Sequence, residues 1–227
     1  MEKIRENRIF ALIFRSAALV IGLFGLIVML KNAPARMMLT YYTIQTNIMT
    51  LLLFAALVVK SVLQLAADGK KGRVACLPPA LQLCITFYIT ITMVVYWALL
   101  SWQTFSMTGA GNPVLMKIGN VIVHGFVALF AIADWIMFMP HGEIKYKSAL
   151  YWLAYPAAYA VFIFLIAEFS GINYAGSRYP YPFIDTDVLG GYVALVVIAL
   201  AAAFYGLGLL YIKADKALAG GKKKEEE

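Results

Sequence analysis

The chain has 227 residues, of which 63% are hydrophobic and only 14% charged. A soluble domain carries roughly a quarter charged residues, so this composition excludes an ordinary water-soluble enzyme and points to a bilayer. The net charge of +7 comes with no DNA- or RNA-binding pattern, which excludes nucleic acid as a partner and assigns the basic excess to loops beside a membrane.

Six apolar stretches follow in chain order, over residues 9–30, 41–65, 78–102, 115–139, 148–170 and 190–212. Each runs to about 20–25 residues, enough to cross a ~30 Å hydrocarbon core as a helix. None alternates as a barrel strand would. The first predicts a retained helix and not a cleaved leader. Ala33-Pro34-Ala35 resembles a cleavage site, but the run before it exceeds the roughly 7–15 residues of a leader's apolar core.

Charge placement sets the orientation. Lys3, Arg5, Arg8 and Arg15 flank the first helix, and Lys60, Lys70, Lys71 and Arg73 lie between helices two and three. Lys145 and Lys147 lie between four and five, and Lys213, Lys216 and Lys222 to Lys224 follow helix six. The other side carries only Lys31, Arg36, Lys117 and Arg178. Basic loops stay in the cytoplasm. The expectation is an all-α polytopic membrane protein with six transmembrane helices and both termini cytoplasmic. Residues 1–213 form one domain, and 214–227, ending in GGKKKEEE, reads as a disordered charged tail. The outer loop SGINYAGSRYPYPFIDTDVL suits an interfacial segment with aromatic anchors. No internal repeat supports an inverted-repeat transporter.

Cys76 and Cys84 match no zinc or redox spacing. Two histidines, His124 and His141, are too few for a multi-histidine metal site. No metal or organic cofactor is expected.

The polar residues inside the spans carry the functional reading. Helix two opens YYTIQTNIMTLLLF, and its Thr43, Thr46, Asn47 and Thr50 fall at i, i+3, i+4 and i+7, on one face. Such a stripe is either hydrogen-bonding glue between helices or the lining of a polar site. His124, the only histidine within a span, lies ~13 Å into helix four. Ionisable groups at that depth face the bundle interior or a wet cavity, and a structural histidine bonded to a neighbouring helix is the other reading.

A threonine hydroxyl is a poor nucleophile until a base takes its proton, and neutral imidazole suits that task. Thr43 and His124 share the outer half of the membrane. The Asn47 amide, one turn below Thr43, offers a donor to a developing oxyanion. Asp134 is ~15 Å along the same helix from His124, too far to bond it, and is placed to pair with Arg15 near the cytoplasmic end. On helix three, Thr86 and Thr90 share a packing face, and Tyr96 and Trp97 approach the outer leaflet, where they can line a substrate entrance. Glu168, at the outer end of helix five, is a candidate partner for His124 or Arg178. Thr46, Thr90, Tyr96 and Glu168 are the expected cavity-lining set.

Three segments in order, YYTIQTN, VHGFVALFAIADW and YPYPFID, resemble the androgen-induced and androgen-dependent TFPI-regulating protein family, in particular its bacterial branch. The resemblance spans most of the chain. It implies a multi-helix membrane hydrolase that cleaves fatty acid esters of hydroxy fatty acids through an essential threonine and histidine. By motif these fall on Thr43 and His124, Asp134 takes the family's acidic position, and Tyr181-Pro182-Phe183 matches its Tyr-Pro-Phe. The animal members carry a second histidine just before the catalytic one, where this chain has NVIVH. The expected function is therefore an intramembrane Thr–His esterase in a bacterial cell membrane, with lipid esters as substrates and membrane lipids as its surroundings. The rival is a non-catalytic transporter or small-molecule or lipid-binding protein that uses the same polar cavity.

Overall fold

The computed structural model describes residues 6–31, 34–102 and 112–223. Six helices are long and apolar enough to cross a bilayer: α1 (Arg8–Leu30), α2 (Tyr42–Asp68), α3 (Pro79–Leu100), α4 (Pro113–Phe138), α5 (Ser148–Phe169) and α6 (Tyr192–Gly220). No strand occurs among the described residues. The fold is thus the all-α, six-helix architecture of an integral membrane protein.

Local chemistry sets the helix ends. The Asn7 side chain accepts the Phe10 N–H at 3.0 Å and starts α1. Asn112 accepts the Val114 N–H at 2.9 Å, with Pro113 in the first helical position of α4. Both follow the rule that a short polar cap satisfies donors the helix leaves open. Gly69 closes α2 at φ +74°, a conformation that side chains resist.

The chain gathers at two ends. At one, the Arg8 N–H donates to Lys70 O at 3.2 Å, the Cys76 thiol donates to Phe138 O at 3.2 Å, and the 139–147 loop meets the last turns of α6. This basic end therefore holds both ends of the described chain. At the opposite end, Arg36 donates to Ser170 O at 2.8 Å. The Thr40 and Tyr174 hydroxyls lie 2.6 Å apart, so the 170–191 segment covers the start of α2.

A buried ionic knot ties the basic end together. Arg15 Nε donates to Asp134 Oδ1 at 2.7 Å, and both side chains are sealed from solvent. Arg15 also donates to Ser61 Oγ at 3.0 Å and Ala75 O at 2.8 Å, while Gln82 donates to Asp134 Oδ2 at 2.7 Å. Helices α1 to α4 each contribute a side chain. Near the opposite end, α1 and α4 approach through glycines. A Cβ on Gly119 would stand 2.7 Å from Val28 Cγ1, and one on Gly25 would overlap Ile122. Small residues permit this closeness in membrane bundles.

One expectation needs correction. Residues from 214 onward do not begin a disordered tail, because the last helix runs unbroken from Tyr192 to Lys223. Asp215 is buried there. Its carboxylate accepts the Trp135 indole N–H at 3.1 Å and the Gly142 N–H at 2.8 Å, and faces His141 Nδ1 at 3.0 Å. That anchor holds the extra turns as helix. Residues 224–227 lie outside the described residues.

Candidate active site

Thr43 sits in the first turn of α2, where backbone N–H groups have no partner within the helix. The Tyr42 N–H is shared by the hydroxyls of Tyr159 and Tyr181, each at 3.1 Å. Across the α2–α4 contact, Thr43 Oγ1 lies 3.1 Å from His124 Nε2, and both residues are buried.

The direction of that bond follows from the other ring nitrogen. His124 Nδ1 lies 3.0 Å from the Asn120 carbonyl oxygen. A carbonyl only accepts, so Nδ1 carries the proton. In the neutral ring Nε2 then holds a lone pair. The Thr43 hydroxyl donates to it, which is the polarity a general base requires.

Two π-helical turns build this geometry, Tyr96–Leu100 in α3 and Ile122–Phe126 in α4. In each the backbone bond reaches five residues back, from Ser101 N–H to Tyr96 O at 2.8 Å and from Val127 N–H to Ile122 O. Such turns loosen the helical ladder and recur at functional sites. Side chains bond three carbonyls in and just before the α4 turn. Asn120 O takes the imidazole, Val123 O takes the Asn47 amide at 2.9 Å, and His124 O takes the Trp97 indole at 3.1 Å. The Tyr96 ring stacks on the imidazole with centroids 3.9 Å apart and planes 23° apart. Its hydroxyl in turn accepts from Asn120 Nδ2. His124 is thus held in one tautomer and one plane by a backbone carbonyl and an aromatic face, with no carboxylate in the role.

A cavity of about 260 Å³ adjoins the site between α3, α5 and α6. Two helical faces line it, Pro156, Ala157, Ala160 and Ile163 on α5 and Val197, Leu200, Ala201 and Phe204 on α6. A turn at Trp152 and Leu153 interrupts α5, and Pro156 follows in the next helical segment, just where the cavity-lining residues of α5 begin. Thr43, Thr92, Tyr96, Tyr159 and Tyr181 supply hydroxyls to an otherwise apolar wall.

The other expected site residues fall in different places. Asn47 is no oxyanion donor in this geometry: its two amide N–H groups go to Thr43 O at 2.8 Å and Val123 O at 2.9 Å. Thr46 stands behind the cavity, bonded to Tyr42 O at 3.0 Å and paired with the Thr92 hydroxyl at 2.7 Å. Thr90 turns toward α6 and meets the Tyr211 hydroxyl at 2.6 Å. The cavity face of α3 carries Thr92 and Val95 instead, because a shift of two residues turns a helix by about 200°. Glu168 is 64% exposed and binds Arg178 at 3.2 Å, leaving His124 without it. Tyr96 does line the cavity.

Tyr159, Tyr181 and Asn120 complete the site without having been singled out for roles. Tyr181 lies in the Tyr-Pro-Phe triplet, which marked a motif but no chemistry. Tyr159 is one of 14 tyrosines with no distinguishing pattern. No protein-family model, curated protein or solved structure matches this chain.

Proposed function

We propose that this protein is an intramembrane hydrolase of lipid-like esters, of the class of fatty acid esters of hydroxy fatty acids or related compounds. This is the activity that its resemblance to the androgen-induced and androgen-dependent TFPI-regulating family implies. The observation that carries the reading is the one-way hydrogen bond from Thr43 Oγ1 to His124 Nε2, 3.1 Å long, beside an apolar cavity. Thr43 attacks the ester carbonyl as His124 takes its proton. The tetrahedral intermediate collapses to an acyl-threonine, and the alcohol leaves with the proton from His124. Water then attacks the acyl-threonine with His124 again as base, releasing the acid and restoring Thr43. The imidazolium formed midway is held against the Tyr96 ring face, a placement that favours a cation.

The cavity suits an acyl chain, since apolar walls with a few convergent hydroxyls are the usual make-up of a small-molecule site. With the basic end facing the cytoplasm, the site lies in the outer half of a cell membrane, the bacterial inner membrane by the family resemblance. The test is covalent labelling of purified protein with a fluorophosphonate, together with turnover on a panel of lipid esters. The expected result is an adduct on Thr43, absent in Thr43→Ala, and loss of turnover in Thr43→Ala and His124→Ala. Full turnover in both variants overturns the reading. Solute flux in liposomes without any adduct would favour a transporter.

A further inference from the structure

With the Asn47 amide committed to two carbonyls, the Thr43–His124 pair needs another donor for the negative charge that ester attack creates. The first turn of α2 supplies candidates. Tyr159 and Tyr181 both accept the Tyr42 N–H, but Tyr159 donates its own proton to Thr40 O at 2.9 Å. Tyr181 has no backbone carbonyl of this kind. Its hydroxyl faces the Tyr159 hydroxyl, the Thr43 side chain and the Thr43 backbone N–H, so its proton can turn from Tyr159 to an oxygen at Thr43, and it lines the same cavity as Thr43. Thr43 directs its proton to His124, so its remaining lone pairs are open to a donor on the Tyr181 side.

We propose that Tyr181 is a catalytic residue, its hydroxyl donating to the oxyanion that forms when Thr43 attacks. This rests on the hydrolase reading above. In the step, the Thr43 Oγ–carbon bond forms, the carbonyl π pair moves onto oxygen, and the Thr43 proton passes to His124 Nε2. The new oxyanion, bonded to the carbon that Oγ has just joined, lies within reach of the donor that faced Oγ. Tyr181 keeps its proton throughout and only hydrogen-bonds. When the intermediate collapses, the alcohol oxygen leaves with the proton held by His124.

Two further features fit the role. The Tyr181 ring is clamped, stacked on Phe183 at 5.4 Å with planes 4° apart and edge-on to Tyr41 at 5.9 Å. A fixed donor needs no reorganisation at the moment of reaction. Burial also pushes the Tyr181 phenol up from its ordinary value, so it keeps its proton at neutral pH.

Tyr181→Phe keeps the ring and removes the donor. Expected is a fall in kcat of about 10²–10³-fold with KM nearly unchanged. A substrate-like trifluoromethyl ketone, which forms an oxyanion on Thr43, should weaken by the same factor. The matching alcohol, which forms none, should bind as before. Equal weakening of ketone and alcohol, or kcat within about threefold of wild type, overturns the proposal. If Tyr181→Phe does not fold, 3-fluorotyrosine at position 181 takes its place. That hydroxyl is a stronger donor, so the ketone should gain on the alcohol, and an unchanged ratio overturns the proposal. Turnover that depends on Thr43 but not on the Tyr181 hydroxyl sinks this inference alone. Turnover that survives Thr43→Ala sinks the hydrolase reading itself.

Discussion

Two of the polar clusters buried in the bundle are wired in opposite ways. At the basic end, Arg15 reaches both Asp134 oxygens at 2.7 and 3.4 Å, and the remaining groups find Ser61, Ala75 O and Gln82. That network closes on itself. At the other end, the His124–Thr43 bond runs from a weakly acidic hydroxyl to an imidazole lone pair, and Thr43 also fronts an apolar cavity. The first cluster binds helices together. The second points a hydroxyl proton at an imidazole lone pair and leaves open space beside it. Both are buried polar groups in a membrane helix, so burial alone does not tell structure from chemistry. Whether the network ends on protein or on open space does.

Mutations separate the two. Asp134→Ala leaves the Arg15 charge unpaired in the interior, at a cost of about 3–5 kcal/mol. The folded yield in detergent and the unfolding midpoint should both collapse. The double change Arg15→Met with Asp134→Leu should recover much of that stability, and a single variant as stable as wild type would remove the structural role. At the other cluster, His124→Ala should cut ester turnover by about 10²–10⁴-fold while the unfolding midpoint moves far less than in Asp134→Ala. A parallel loss of stability and activity there would erase the contrast.

Asn47 sits between the two behaviours. Asn47→Leu strips a donor from the carbonyls of Thr43, which keeps the Thr46 hydroxyl at 3.2 Å, and of Val123, at about 1–3 kcal/mol where the carbonyl is left unsatisfied. The expected outcome is a lower unfolding midpoint with turnover per folded molecule reduced less than in His124→Ala. A selective loss of kcat at unchanged stability would restore Asn47 as an oxyanion donor. The smallest effect belongs to the surface. Arg178 holds the Asp187 carboxyl below its ordinary range through bonds of 2.8 and 2.6 Å. A carboxyl lowered in the folded state stabilises fully above its unfolded value, near about 4, and that contribution fades as pH falls through the lowered folded value. In Arg178→Gln the acid limb of an unfolding titration should begin at slightly higher pH, and an unchanged limb would show the pair to be inert.

The six spans were legible because the length of an apolar run is itself a measurement against bilayer thickness. The Arg15–Asp134 pair was legible too, since two opposite charges at one depth have little alternative to meeting. Glu168 offered two partners, and exposure sends it to Arg178. The rest depends on azimuth. Which face α4 turns to its neighbours is set by its glycine contacts with α1, at Gly25 and Gly119, and by a π turn, and a hydropathy pattern records neither. The fate of Asn47 follows from this, because its amide goes to a carbonyl within the π turn. The sequence places Thr90 at the cavity that Thr92 lines for want of the same angular information.

The π turn in α4 has a consequence for the register of that whole helix. It holds one residue more than an α-turn, and a residue is worth about 100° of rotation. His124 within it and Asp134 beyond it are therefore offset in phase from a plain α-helical register. Losing a single residue from Ile122–Phe126 would swing one of them away from its partner however well every side chain was kept. That extra residue in the turn lets one helix present His124 to Thr43 and Asp134 to Arg15 at once.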